Sequence, residues 1–432
     1  MKLSRLLAPL GITEGYQETE ITDIVYDSRK AKQGCAFVCL RGSAVDGHKF
    51  AANAAAAGAA AIIAQEPVEA SGAQVVLVED TRRALALMSA AFFGKPAEGD
   101  IQVIGVTGTK GKTTTAYMIR AILEAAGHKT GVIGTIGVLM GEKLLQTNNT
   151  TPMSYDVQKY LRQMADEGCR YCVMEASSIG LRDLRVYGFP FQVGVFTNFS
   201  EDHIGGVEHK DMEEYLSCKA KLFSLCKVGV VNADDPSVEG VLRGHTCQVK
   251  TYAMDRPADL TGSGCRHLTK PGFLGLAVDV AGEENFTAEV GIPGRFNAYN
   301  ALAAIGACHE LGIPQEAMKR GLSQVKVKGR VEPVPVPGDY TLLLDYAHNA
   351  VSMENLLTTL REYEPRRLIV LFGAGGNRPK VRRYEMGEAC GKLADLSVIT
   401  ADNSRFEDVN DIIADILVGM KKTQGQYVTI PD

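Results

Sequence analysis

The sequence predicts an α/β protein of three domains, and three observations carry that prediction. Short apolar runs of strand length alternate with segments of helical spacing, the pattern of mostly parallel sheets covered on both faces. Two turn-rich stretches, 94–100 and 329–338, interrupt the alternation. The 432 residues also exceed what one hydrophobic core supports; at roughly 100–200 residues per domain they make about three.

Composition sets the outer limits. With 45% hydrophobic and 22% charged residues the chain is that of an ordinary globular protein. A net charge of −5 argues against a nucleic-acid partner, because phosphate backbones select clustered positive charge. No apolar run reaches the ~20 residues that span a bilayer, and Met1–Leu10 lacks the apolar stretch of a secretion signal. The ten cysteines follow no disulfide framework, so reduced thiols and a cytoplasmic location are expected. Cys169-x-x-Cys172 reads as two small apolar residues flanking a buried strand.

The first domain, 1–98, mixes strands with an alanine-rich helix over Phe50–Ala61; a strand at Ala60–Ala64 follows, with Gly58 at the bend. Gly94–Asp100 reads as a linker. In the central domain, 99–328, strands are expected at Val103–Val106, Gly131–Val138, Tyr171–Glu175, Val193–Thr197 and Val228–Asn232. Residues 255–291 look like short antiparallel strands, and Asn297–Gly312 like a helix of small residues stopped by Gly312 and Pro314. Gly329–Gly338, with proline at 333, 335 and 337, reads as a second linker, since proline cannot continue a helix and makes a poor central strand. The third domain, 329–432, is Rossmann-like, with strands at Leu342–Tyr346, Leu368–Phe372 and Ser397–Thr400. Tyr427–Asp432 looks like one more strand just formed, so this domain is read as incomplete.

Chemistry concentrates after the first central strand. Gly108-Thr109-Lys110-Gly111-Lys112-Thr113-Thr114 joins that strand to a segment of helical spacing. The glycines let backbone N–H groups converge on phosphate oxygens at a helix N-terminus, which makes this a phosphate loop for ATP. Lys112 would meet the β- and γ-phosphates and the Thr113 hydroxyl a Mg²⁺ ion. Position 106 is Val, so the spacing is shorter than in the common G-x-x-x-x-G-K-[ST] loop. Glu175 and Asp202-His203 sit at strand ends that should converge on the loop. Taken alone, His203 fits a hydrogen-bonded loop residue and Lys219 a solvated helix residue, and nothing separates Lys219 from Lys221.

Motifs along the whole chain then carry a resemblance. Besides Thr107–Thr114 they are Asp27-Ser28-Arg29, Asn149-Thr150-Thr151-Pro152, Glu175-Ala-Ser177-Ser178-x-Gly-Leu, Phe196-Thr-Asn198-x-x-x-Asp202-His203 and Asn232-Ala-Asp-Asp235. Gly294-x-Phe-Asn297-x-x-Asn300, Gly329-Arg330-x-Glu332 and Asp345-Tyr-Ala-His348 follow in order. Together they resemble the Mur ligases, ATP-dependent ADP-forming enzymes that add amino acids to UDP-N-acetylmuramoyl peptides in bacterial cell-wall synthesis. Asn149–Thr151, the Glu-x-Ser-Ser segment and Asp402-Asn403-x-Arg405 point to the MurE branch, which adds the third peptide residue.

The resemblance implies roles. Ser28 and the Ser43-Ala44-Val45 loop would hold the uridine end, and Asn149, Thr150, Thr151, Ser177 and Arg185 the muramoyl-dipeptide. Asn297, Asn300, Arg330 and Asp345 match nucleotide contacts, with Lys112, His203, Lys219 and Arg330 in catalytic roles. Lys219 matches the lysine that the family converts to a carbamate, which joins Thr113, Glu175 and His203 around two Mg²⁺. Arg378, Asp402, Asn403, Ser404 and Arg405 would hold the acceptor. In the branch that uses meso-diaminopimelate the motif is Asp-Asn-Pro-Arg; here proline is replaced by Ser404 and the arginine stays. A guanidinium suits a distal carboxylate that lysine lacks, which favours diaminopimelate. Other departures are Lys110 for a more usual Asn, Asp183 for an amide, and Ile204–His209 after His203. The family's Gly-Lys-Gly-His-Glu segment would fall beyond Asp432. A monomer is expected. Rival readings are a paralogue with another acceptor, folylpolyglutamate- or cyanophycin-type ligases, and an inactive scaffold.

Overall fold

The computed structural model describes residues 1–42, 45–201, 204–205, 208–270 and 273–431. Strands β1 (Ile24–Val25), β2 (Ala36–Val38), β3 (Ala61–Ala64) and β4 (Gln74–Leu77) form a parallel sheet in chain order. Successive side chains on a strand face opposite ways, and here both faces are covered. Ala36, Val38, Ala61 and Ile63 pack with α1 (Leu3–Leu7) and α3 (Thr81–Phe92). Phe37, Ile62 and Ala64 pack with α2 (Ala51–Ala56) on the other side. The helix expected to reach Ala61 stops at Ala56, because the chain bends at Gly58 with φ +95°.

The central sheet has eleven strands in the order β15-β14-β13-β12-β11-β10-β5-β9-β6-β7-β8. Its middle is parallel: β5 (Gln102–Thr107) lies between β9 (Tyr171–Glu175) and β10 (Phe191–Phe196), and β11 (Cys226–Asn232) and β12 (Gln248–Ala253) extend it. One expected strand is two. Gly131–Val138 folds back as β6 (Thr130–Gly134) and β7 (Gly137–Met140), paired antiparallel, with Gly137 at φ +133° closing the turn and β8 (Lys143–Leu145) beyond. β13 (Leu260–Lys270) and β14 (Phe273–Gly282) are longer than the short strands expected, and β15 (Phe286–Val290) ends the sheet. The helices are α4 (Lys112–Ala125), α5 (Ser154–Asp166), α6 (Ser178–Arg182), α7 (Met212–Ala220), α8 (Val238–Val241), α9 (Arg295–His309) and α10 (Gln315–Gln324). The supposed linker 94–100 is packed structure: Pro96–Glu98 forms a 3-10 turn that buries Pro96 and Ala97.

After α10, β16 (Glu332–Val334) pairs antiparallel with β17 (Leu342–Leu344). The second supposed linker therefore contains a strand, and Pro333 is tolerated because a two-stranded sheet has only edges. Then α11 (Ala350–Arg361), β18 (Ile369–Phe372), α12 (Lys380–Leu393), β19 (Leu396–Thr400), α13 (Val409–Met420) and β20 (Tyr427–Ile430) follow, with β18-β19-β20 parallel. Val370, Phe372 and Ile399 pack beneath Met353, Met386 and Ile416 of the helices, while Ile369, Leu371, Val428 and Ile430 are exposed.

Two compact units result. One comprises residues 1–263, 279–288 and 299–325; the other 264–278, 289–298 and 326–432. Within the first, the Tyr26 phenol donates to Asp156 of α5 at 2.5 Å and Tyr155 donates to Asp23 at 2.6 Å. Among the described residues no helix is long and apolar enough to cross a membrane.

Candidate active site

The loop between β5 and α4 is shaped by what a side chain would strike. Gly108 has φ +147°, and a Cβ there would lie 2.0 Å from Thr197 Oγ1. Gly111, at φ +84°, would meet Asn300 Oδ1 at 2.4 Å. Glycine, with no Cβ, meets both demands. The end of β10 holds the loop in place: Thr109 N donates to Asn198 O (2.8 Å), Lys110 N to Asn198 Oδ1 (2.9 Å) and Thr197 Oγ1 to Lys110 O (2.7 Å). α4 starts at Lys112 with no side-chain cap at Gly111, and the positive end of its dipole suits an anion. Lys112 folds back, donating from Nζ to the carbonyls of Gly108 (2.9 Å) and Thr109 (3.0 Å). The Thr114 side chain is buried behind the loop, and Asn300 of α9 accepts from Thr115 Oγ1 at 3.3 Å.

Glu175 ends β9, next to β5, and is 1% exposed. Its Oε1 accepts from the Thr113 hydroxyl and from Thr135 N, both at 2.9 Å, and Oε2 accepts from the Thr135 hydroxyl at 3.1 Å. A buried carboxylate beside a threonine hydroxyl is an oxygen-only donor set, which fits a hard dication such as Mg²⁺. On α7, Lys219 is 1% exposed; its Nζ donates to Gly108 O at 2.8 Å and lies 4.2 Å from the centre of the Tyr215 ring. Tyr215 in turn donates to Thr109 Oγ1 at 3.2 Å. Lys112 and Lys219 thus share the Gly108 carbonyl. Lys221, the alternative left open by the sequence, is exposed in the next turn.

A second cluster forms around Thr151. Its hydroxyl donates to Glu175 O (2.7 Å), Ser177 N donates to that hydroxyl (3.0 Å), and Ser177 Oγ caps α6 through Gly180 N (3.1 Å). Arg185 donates to Thr151 O at 3.1 Å and pairs with Asp183 at 3.0 Å, while Thr150 Oγ1 lies 3.1 Å from Thr135 Oγ1. Asn149 enters through its carbonyl, which accepts from Thr147 at 3.1 Å. Ser28 starts a 3-10 turn capped by Asp27, and Val45 is exposed. Ser43, Ala44, Asp202 and His203 lie outside the described residues. The His209 ring, buried against Tyr215, bonds Ser178 Oγ at 2.8 Å; burial first, and then Arg182, hold its pKa below the usual histidine value.

In the other unit, Asn297 of α9 donates to Pro293 O at 2.7 Å. Asp345 accepts from Val331 N at 2.9 Å and Ala347 N at 2.8 Å, and the Arg330 guanidinium lies 5.4 Å from the centre of the Tyr346 ring. The loops after β18 and β19 meet: Gly376 N donates to Asn403 O at 2.9 Å, and a Cβ on Gly376 would sit 1.9 Å from Ser404 O. Arg378, Asp402, Asn403 and Arg405 are exposed on these loops, with Ser404 partly covered beneath them. Asn377 (φ +54°) and Arg405 (φ +53°) both take left-handed backbone.

Sequence reasoning missed two participants. Thr135 was hidden inside a presumed strand. Tyr215 carried a usable signal, standing four residues before Lys219 on one helix face.

Known proteins sharpen this picture. The chain matches the Mur ligase family catalytic domain over 20–93, the Mur ligase middle domain over 106–308 and the Mur ligase glutamate ligase domain over 329–432. It is 40% identical to the UDP-N-acetylmuramoyl-L-alanyl-D-glutamate–2,6-diaminopimelate ligase of Clostridium perfringens, over 94% of this chain and 84% of that protein. The ligase of that name from Geobacillus kaustophilus is 38% identical, over 96% and 85%. A solved structure of a ligase of that name superposes with a TM-score of 0.77 at 27% identity, covering 100% of this chain and 89% of that one. In fold alone, folylpolyglutamate synthase of Mycobacterium tuberculosis also corresponds, with a TM-score of 0.62 at 18% identity over 81% of this chain and 85% of that one. A phosphate loop pinned by buried Glu175 and Lys219, together with this degree of likeness, leads to one conclusion: the chain belongs to the Mur ligase family.

Proposed function

We propose that the protein joins meso-diaminopimelate to UDP-N-acetylmuramoyl-L-alanyl-D-glutamate at the expense of ATP, in peptidoglycan synthesis. The observation that carries this reading is the phosphate loop with Glu175 on Thr113 and Lys219 on Gly108, in a chain whose relatives at 40% identity bear that ligase's name. The loop arginines Arg378 and Arg405 support the choice of diaminopimelate, since two guanidiniums suit its second carboxylate. Ser404 in place of proline leaves room for a different acceptor, such as lysine.

The division of labour follows the chain. Residues 1–98 hold the uridine end through Ser28 and 43–45, residues 99–328 hold ATP and the dipeptide, and residues 329–432 hold the acceptor. Reaction takes place in the cytoplasm. The dipeptide's terminal carboxylate oxygen attacks the γ-phosphorus of ATP, the bond to the β-phosphate oxygen breaks, and ADP leaves an acyl phosphate. The acceptor amine then attacks the acyl carbon, phosphate departs, and the amine's proton passes to solvent. Lys112 and Arg330 neutralise the charge on the transferring group, while Asn300, Asn297 and Asp345 orient the nucleotide. Magnesium, held by Thr113, Glu175 and His203, supplies further charge neutralisation when bound. CO₂ addition to the neutral Lys219 amine, with loss of one proton, gives an N-carboxylate ligand. One N–H survives that change and keeps the bond to Gly108 O.

Phosphate release is the deciding assay, run with ATP, UDP-N-acetylmuramoyl-L-alanyl-D-glutamate and single amino acids. Release with meso-diaminopimelate alone is expected. Release with lysine alone would move the reading to another acceptor, and no release with any amino acid would sink it.

A further inference from the structure

Among the described residues Arg383 is the largest fully buried side chain, at 1% exposure, and none of the roles assigned above uses it. It sits near the start of α12, just after the loop that carries Arg378. Its Nη1 and Nη2 grip the two oxygens of Glu407 at 2.9 and 2.8 Å, Nη1 also reaches Asp415 of α13 at 2.9 Å, and Nη2 reaches Gly375 O at 3.4 Å. Glu407 belongs to the other loop, two residues after Arg405, and also accepts from Asn377 N, next to Arg378. One guanidinium therefore ties together the backbone turns that present Arg378 and Arg405. Both turns are of the kind that relaxes when its ties are cut, with Asn377 and Arg405 in left-handed backbone.

We propose that Arg383 is the positioning residue of the acceptor site: through Glu407 it fixes the spacing of Arg378 and Arg405, and so selects an acceptor whose far end is a carboxylate. This rests on the acceptor-site reading given above. A fork is required, because only a planar guanidinium can meet both Glu407 oxygens while one of its nitrogens also reaches Asp415; a lysine keeps the charge and loses the geometry. Burying such a group is costly unless it is paired, so the arrangement is weak as a stabilising device and strong as a geometric one.

Arg383→Lys and Glu407→Gln should each raise the KM for meso-diaminopimelate at least tenfold. The KM values for ATP and for the UDP-dipeptide should stay within twofold, and the preference for diaminopimelate over lysine should shrink. A purely structural role would instead lower the active fraction, reducing kcat with every KM unchanged; that result in both variants overturns the proposal. Wild-type protein measured alongside separates the two ideas. If wild type ignores diaminopimelate, the acceptor reading itself fails. If wild type uses it and neither variant shifts its KM, only the role of Arg383 fails.

Discussion

Single residues at the phosphate loop have no tolerance for change. Gly108→Ala puts a methyl group into the Thr197 hydroxyl, and a displacement on the order of 1 Å at a reacting centre costs about 10²-fold in rate. Steady-state ATP turnover should show that loss or a greater one. Lys219→Ala should abolish ligation, and added acetate or formate should restore part of it if a carboxylate is what the position supplies; an unrescued variant removes the carbamate. Arg405→Ala should cost far more with diaminopimelate than with lysine, and equal losses would remove the distal-carboxylate contact. The loop glycines, Lys112, Thr113 and Glu175 were legible because a strand, a turn and a helix start restrict which residue types can stand there. The spacing could not choose Lys219 over Lys221; burial did. Thr135, Tyr215 and Arg383 act through contacts between residues far apart in sequence, which no local pattern records.

Elements were legible where periodicity was long and hidden where a turn was cheap. β9 falls where the alternation placed it, Tyr171–Glu175. The β6–β7 hairpin did not, since a two-residue turn between apolar strands leaves the hydrophobic run almost unbroken. Contacts between elements give the next tests. Tyr26 and Tyr155 clamp β1's end of the N-terminal sheet to α5, and the Tyr26 phenol is pushed well above its usual pKa by burial and by Asp156. Hydrogen bonds to charged groups contribute about 1.5–3 kcal/mol, so Tyr26→Phe should lower unfolding free energy by about that much in urea titrations. Glu407 offers a pH test between the β18 and β19 loops. Arg383 first, then Asn377 N–H, hold its carboxyl at about 2 against 4.5 when free. Depression in the folded state means the stabilisation is complete above about 4.5 and lost as pH falls toward 2. Partial exposure keeps it small. Glu407→Gln should flatten the dependence of the melting temperature on pH in that window.

At the scale of the molecule, the chain divides into two compact units. A non-hydrolysable ATP analogue should raise the melting temperature of the protein, and no shift would count against nucleotide binding. Among the described residues, the three-stranded sheet β18-β19-β20 has its helices against one face, and Ile369, Leu371, Val428 and Ile430 are exposed on the other. Parallel strands are ordinarily sandwiched, so this is a contiguous oily plane in contact with water. Its consequence is colloidal. Purified protein should light up an environment-sensitive naphthalene dye in the native state, and its sedimentation coefficient should climb with concentration. Leu371→Lys should quench both effects and leave ATP turnover as it was. The expected monomer would then hold only in dilute solution.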